Sequence, residues 1–134
     1  MPHNGTIAFF SQSGALCTAI LDLSFENLGF SSFVSNGNKA VIGENELLSF
    51  FAKNEATKVI SFYSEGLTDA TKIIETGRSI LARVDVKPII ALKSGATEAG
   101  TAASSSHTGA LAGSDASYQA LFKQARIIRK WLKA

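Results

Sequence analysis

The feature that most constrains this chain is an alternation. Short apolar runs rich in β-branched and aromatic residues are separated by longer segments with helical spacing. The strand candidates are Thr6–Phe10, Phe30–Val34, Lys58–Tyr63, Pro88–Leu92 and Arg126–Ile128. Between them lie Gly14–Leu28, Glu44–Asn54, Asp69–Arg83 and Ser114–Gln124. Strands that take turns with helices cannot pair as hairpins; they form a parallel sheet covered by crossover helices. Spacing in the first helical segment puts Leu16, Ile20, Leu23 and Leu28 near one face, and the second brings Leu47, Leu48 and Phe51 together. Right-handed crossovers then reduce the choice to an α/β, three-layer, doubly wound parallel sheet of the flavodoxin-like kind. A chain of 134 residues fits one such domain, spanning 1–134.

In this architecture every loop that follows a strand emerges at the same sheet edge, where ligands bind. Those loops are Ser11–Gly14, Asn36–Lys39, Ser64–Gly66 and Lys93–Gly95, all polar and glycine-containing. The opposite edge receives ordinary connectors such as Asn27–Gly29 and Asp85–Lys87. Beyond the fourth strand, Ser94–Gly113 is about twenty residues of mostly Gly, Ala, Ser and Thr, where connections of ~2–6 residues are usual. It contains His107, flanked by residues too small to hinder approach. A lone histidine is more often a structural residue than a catalyst, but an overlong small-residue loop at the ligand edge favours chemistry.

Two further features point to that edge. In Ser11-Gln12-Ser13-Gly14, Ser13 can cap a helix whose first amides, at the positive end of the dipole, suit an anion. The pattern also occurs in helices that bind nothing. Glu65, at the end of the third strand, could accept a ring N–H of an imidazole, fix its tautomer and leave the other nitrogen nucleophilic. A solvated glutamate or an ion pair with Lys93 fits the residues equally well.

Composition removes several classes. The net charge is +2, from 13 basic and 11 acidic side chains, and the basic residues are spread without a run or aromatic interleaving, so no nucleic-acid footprint is expected. Neither a membrane-length apolar stretch nor a signal pattern is present, which predicts a cytoplasmic chain without a membrane partner. The single cysteine, Cys17, forms no internal disulfide and sits in an apolar run, as a buried bystander would. There is no Walker-type phosphate loop, no nucleophile elbow and no metal-ligand cluster. A flavodoxin-type electron carrier would offer aromatic rings to its flavin, and the edge loops hold none beyond Tyr63. A receiver domain would need aspartates at the ends of the first and third strands, and they are missing.

The strings Gly5-Thr6-Ile7-Ala8-Phe9-Phe10-Ser11-Gln12-Ser13-Gly14-Ala15-Leu16, Val34-Ser35-Asn36-Gly37-Asn38-Lys39-Ala40 and Ser106-His107-Thr108-Gly109-Ala110-Leu111-Ala112-Gly113-Ser114-Asp115 together resemble the NDP-forming acyl-CoA synthetases, which include ADP-forming acetyl-CoA synthetase and are related to succinyl-CoA synthetase. The resemblance covers nearly the whole chain in order and spacing. It implies the flavodoxin-like second-domain type of succinyl-CoA synthetase. It also implies a reaction in three steps: acyl-CoA and phosphate give acyl phosphate and CoA, the phosphoryl group moves to a histidine, and phosphohistidine phosphorylates ADP. By the same resemblance His107 is the carrier, Ser13, Gly14 and Ala15 hold the phosphate, and Glu65 steadies the phosphohistidine. No cofactor is implied for this domain alone; CoA, ATP or ADP, phosphate and Mg2+ belong to the complete enzyme. The partners implied are a CoA-binding Rossmann-like domain and an ATP-grasp domain or subunit. Met1–Gly5 look like the interior of a longer family sequence, so the chain is expected to be a fragment. It departs from the pattern at Val41 and Gly43, where family members usually carry acidic residues. A second class remains open: a non-catalytic, ligand-sensing synthetase-like module of a protein acyltransferase.

Overall fold

The structure is a computed structural model that describes residues 2–25, 27–37, 41–93 and 114–130. Five strands, β1 (His3–Ser11), β2 (Gly29–Ser35), β3 (Val59–Ser64), β4 (Ile89–Lys93) and β5 (Ile128–Lys130), alternate with helices α1 (Gly14–Ser24), α2 (Glu44–Lys53), α3 (Ala70–Leu81) and α4 (Asp115–Gln124). The strands form one all-parallel sheet in the order β2-β1-β3-β4-β5. The expected doubly wound α/β architecture is therefore observed.

Successive residues of a strand face opposite sides, and the two faces are unequal. Ala8 and Phe10 of β1, Ile60 and Phe62 of β3 and Ile89 and Ala91 of β4 meet Leu48 and Phe51 of α2, Ile73 and Ile80 of α3, and Tyr118 and Phe122 of α4 in one large core. Register aligns Phe10 with Phe62, and their rings stack at 5.0 Å, 4° from parallel. Each fully buried aromatic stabilises the fold by about 1.5–3 kcal/mol. The other face carries a smaller cluster of Phe9, Tyr63 and Cys17, flanked by Leu16, Ile20, Phe30 and Phe33 under α1. Cys17 is buried and free, as expected.

α1 is shorter than its apolar spacing suggests. It ends at Ser24, whose Oγ donates to Leu21 O at 3.0 Å and whose carbonyl accepts from Asn27 and Leu28 N–H. Leu23 and Leu28, expected on the packed face, are 79% and 44% exposed. Leu23 has the correct angular position, but burial also needs a partner opposite, and the cluster beneath α1 stops at Ile20.

β5 starts two residues later than its sequence pattern. The end of α4 is a Schellman turn: Arg126 N–H donates to Lys123 O at 3.2 Å and Ile127 N–H to Phe122 O at 2.9 Å. Arg126 takes φ +57°, the left-handed position that glycine usually fills. Arg126→Gly is expected to stabilise the chain by about 0.5 kcal/mol, since relief of a left-handed cost of about 1–2 kcal/mol outweighs the added freedom of the unfolded chain. The urea midpoint should rise; a fall would mean that the arginine side chain contributes more than its backbone costs.

The connector before β4 also does more than link elements. Lys87, 3% exposed, donates from Nζ to Phe51 O at 3.1 Å and Asn54 O at 2.7 Å, closing the carboxyl end of α2. A buried ammonium is tolerated there because it meets the last helix carbonyls at the negative end of the dipole. Among the described residues no helix is long and apolar enough to cross a membrane.

Candidate functional site

β1, β3 and β4 end in polar residues that are nonetheless buried: Ser11 and Ser64 at 0% exposure and Lys93 at 3%. Ser11 Oγ accepts from Ser13 N–H and donates to Ser13 O, both at 3.0 Å, which fixes the turn from β1 into α1. Ser13 is the N-cap of α1, its Oγ accepting from Leu16 N–H at 3.3 Å. Gly14 and Ala15 follow as the first helical residues, both exposed, with amides that a helix start cannot pair internally. A side chain added at Gly14 would meet no atom of the described residues within 4 Å, so among them the helix start opens outward.

One residue within that turn connects it to β3. Gln12 Oε1 accepts from the backbone N–H of Glu65 at 2.6 Å and of Gly66 at 3.3 Å. Its Nε2 donates to Gly66 O at 3.0 Å and to Glu44 Oε1 at 2.8 Å. Both lone pairs and both N–H groups of the carboxamide are thereby used, and only one amide orientation satisfies them. Ser64 Oγ donates to Gly66 O at 2.9 Å, and Lys93 Nζ donates to Glu65 O at 2.8 Å while lying 4.4 Å from the centre of the Tyr118 ring. The Glu65 backbone is thus held on both sides. Lys93 engages its carbonyl, so the ion pair considered from sequence is not formed. Among the described residues the half-buried Glu65 carboxylate has no hydrogen-bond or salt-bridge partner.

Glu44 is the residue that sequence reading missed. It opens α2 and is 1% exposed, accepting from Gln12 Nε2 and from Thr68 Oγ1 at 3.1 Å, with Ser64 Oγ 3.5 Å away. A carboxylate in the first turn of a helix is favoured by the dipole, which helps to offset its loss of water. The signal available was a glutamate immediately after Gly43, which reads as routine helix-start chemistry. Asn36, one residue beyond β2, donates its backbone N–H to Ser11 O at 2.9 Å, but its side-chain amide is shielded from solvent and unbonded among the described residues. A buried amide left without any partner costs about 1–3 kcal/mol.

The structure therefore brings Ser13, Gly14, Ala15 and Glu65 to one edge. His107 lies outside the described residues, as do Asn38, Lys39 and Ala40. Among the described residues no group of three His, Cys, Asp or Glu side chains could hold a metal ion.

The model of the succinyl-CoA ligase-like flavodoxin domain matches residues 4–130. The chain belongs to that family. A relative within reach of this family, the ADP-forming acetate–CoA ligase of Methanocaldococcus jannaschii, is 48% identical over 131 residues, or 97% of this chain and 18% of its own length. The alpha subunit of ADP-forming acetate–CoA ligase I from Pyrococcus furiosus is 43% identical over 128 residues, 95% of this chain and 27% of its own. Among solved structures, the dinucleotide-forming acetyl-coenzyme A synthetase 1 of Ca. Korarchaeum cryptofilum, in complex with phosphate and ADP, superposes with a TM-score of 0.88 at 43% identity. That match covers 97% of this chain and 28% of the other. The chain thus spans about a fifth to a quarter of the proteins it resembles, and these family members are larger or multi-subunit enzymes.

Proposed function

We propose that this chain, as one domain over residues 1–134, is the phosphoryl carrier of an ADP-forming acyl-CoA synthetase. The observation that carries the reading is the joint placement of the open start of α1 and the held Glu65 backbone on the edge of a family fold whose named relatives are ADP-forming ligases. In this reading the phosphate is taken by the amides of Gly14 and Ala15 together with the Ser13 hydroxyl, since the Ser13 N–H is already held by Ser11 Oγ at 3.0 Å; the helix start stabilises the anion through its N–H groups and dipole. A nitrogen of His107 attacks the phosphorus of the acyl phosphate; an N–P bond forms, the P–O bond to the acyl group breaks, and a carboxylate leaves. ADP then takes the phosphoryl group by the reverse exchange, forming ATP and freeing the imidazole. Glu65 accepts the remaining ring N–H, which keeps the attacking nitrogen unprotonated. The long Ser94–Gly113 segment suits a carrier that must serve two separate sites.

In this reading the chain works in the cytoplasm beside a CoA-binding Rossmann-like domain and an ATP-grasp domain or subunit, without nucleic acid or membrane. Acyl-CoA, acyl phosphate, phosphate and ADP are the reactants. Mg2+ accompanies the nucleotide on the ATP-grasp part, and no described residue of this chain is assigned to it.

The test is direct labelling. When the complete synthetase receives γ-labelled ATP and Mg2+, an acid-labile, base-stable label is expected on the peptide containing His107. An active nucleotide part that leaves this chain unlabelled, while acyl-CoA still binds, would replace the reading with that of a ligand-sensing module.

A further inference from the structure

We propose that Gln12 is the positioning residue for Glu65, with the buried Glu44 as its anchor. The inference rests on the reading of Glu65 given above and goes beyond it, because neither Gln12 nor Glu44 is needed there for binding or chemistry.

Glu65 lies at the first position after β3, where ladder hydrogen bonds end; Lys93 Nζ holds its carbonyl and Ser64 Oγ that of Gly66, while the amides of 65 and 66 turn to Gln12. The Gln12 carboxamide replaces that ladder. It accepts from Glu65 N–H and Gly66 N–H and donates to Gly66 O, so three of its four hydrogen bonds hold the 65–66 turn. The fourth, from Nε2 to Glu44 Oε1 at 2.8 Å, fixes the amide itself. Glu44 is held in turn by Thr68 Oγ1, and it begins the rigid helix α2. A charge-assisted hydrogen bond in a buried setting is short and directional, so the anchor limits rotation of the Gln12 side chain about its last torsions. Gln12 sits between Ser11 and Ser13, and the same residue therefore sets the distance between the phosphate-binding helix start and the carboxylate that would steady the imidazole. Misplacement of such a group by about 1 Å costs up to about 100-fold in rate.

The arrangement makes opposite demands of two side chains. Gln12→Glu would face Glu44 across 2.8 Å with a second carboxylate and lose its donors. Exchanging both, in Gln12→Glu with Glu44→Gln, restores one donor and one acceptor with the polarity reversed.

The experiment measures the rate of phosphoryl labelling in the complete synthetase for Gln12→Ala, Glu65→Gln, the two combined, Gln12→Glu, and the exchange. Gln12→Ala is expected to slow labelling about 10- to 100-fold with the KM for ATP changed less than about twofold, since a positioning residue alters the reacting geometry and leaves nucleotide binding alone. Combined with Glu65→Gln it is expected to cost clearly less than it does alone, as two changes acting through one group are not additive. The exchange should recover at least about tenfold over Gln12→Glu. A Gln12→Ala loss of equal size in the presence and absence of the Glu65 carboxylate would overturn the inference while leaving the role of Glu65 intact. Should Gln12→Ala fail to fold, failure of the exchange to recover the rate overturns it. An unchanged rate in Glu65→Gln itself would overturn the underlying reading of Glu65, and this inference with it.

Discussion

His107→Asn in the complete synthetase is expected to leave no acid-labile phosphoryl label and to lower acyl-CoA turnover by about 10^4-fold or more, the scale on which removal of a covalent nucleophile acts. Asparagine occupies similar space, but its amide nitrogen shares its lone pair with the carbonyl and cannot form a stable N–P bond. On the proposed reading covalent carriage divides one difficult transfer into two easier ones, so its loss would leave only a direct transfer. Glu65→Gln should act more mildly, because the amide oxygen can still accept a ring N–H while the negative charge is gone. The measurements are label stoichiometry and turnover on the same preparation, with circular dichroism to establish that the fold persists. Retention of both label and turnover in His107→Asn would end the phosphoryl-carrier reading.

Gly77→Ala is expected to destabilise the chain by about 2–3 kcal/mol, with the thermal midpoint lowered by about 5–10 °C. Gly77 is buried in the middle of α3, where α3 crosses the end of α4. A Cβ there would lie 2.4 Å from Ala125 O and 3.2 Å from Ala125 Cβ. Helix propensity favours alanine by about 1 kcal/mol, and the clash outweighs it because the opposing atom is backbone. Ala125 is also tied down, as the C-cap that leads into the Schellman turn, its N–H donating to Leu121 O at 2.9 Å. Relief would require α3 and α4 to separate, which would loosen Ile73, Ile80 and Phe122 in the large core. Ser79→Ala, at an exposed position of the same helix, supplies the control and should change stability by less than about 0.5 kcal/mol. A Gly77→Ala protein as stable as its parent would show that the two helices do not meet at this distance.

The elements were legible because their signals are local. Alternation of β-rich runs with helical spacing depends only on neighbours along the chain, and every expected strand and helix occurs within a few residues of its expected position. The misses fall where a local signal met a non-local condition. Leu23 has the spacing of a core residue but, among the described residues, no partner opposite it. Arg126 reads as the start of a strand, yet it is the turn that closes α4. Lys87 reads as a polar linker residue, and it is buried because the last carbonyls of α2 come to it.

At the site the division is sharper. The sequence alone determined that Ser13–Ala15 and Glu65 would share an edge, since in a parallel sheet all strand ends point one way. What joins them was decided only by the tertiary structure. Gln12 reaches Glu65 across 53 positions and Glu44 across 32, and no spacing rule links residues so far apart. A glutamine inside a turn and a glutamate at a helix start look ordinary in a sequence. Their hydrogen bonds exist because β1 and β3 are neighbours, which sets Gln12 beside the 65–66 turn, and because α2 begins at that same edge.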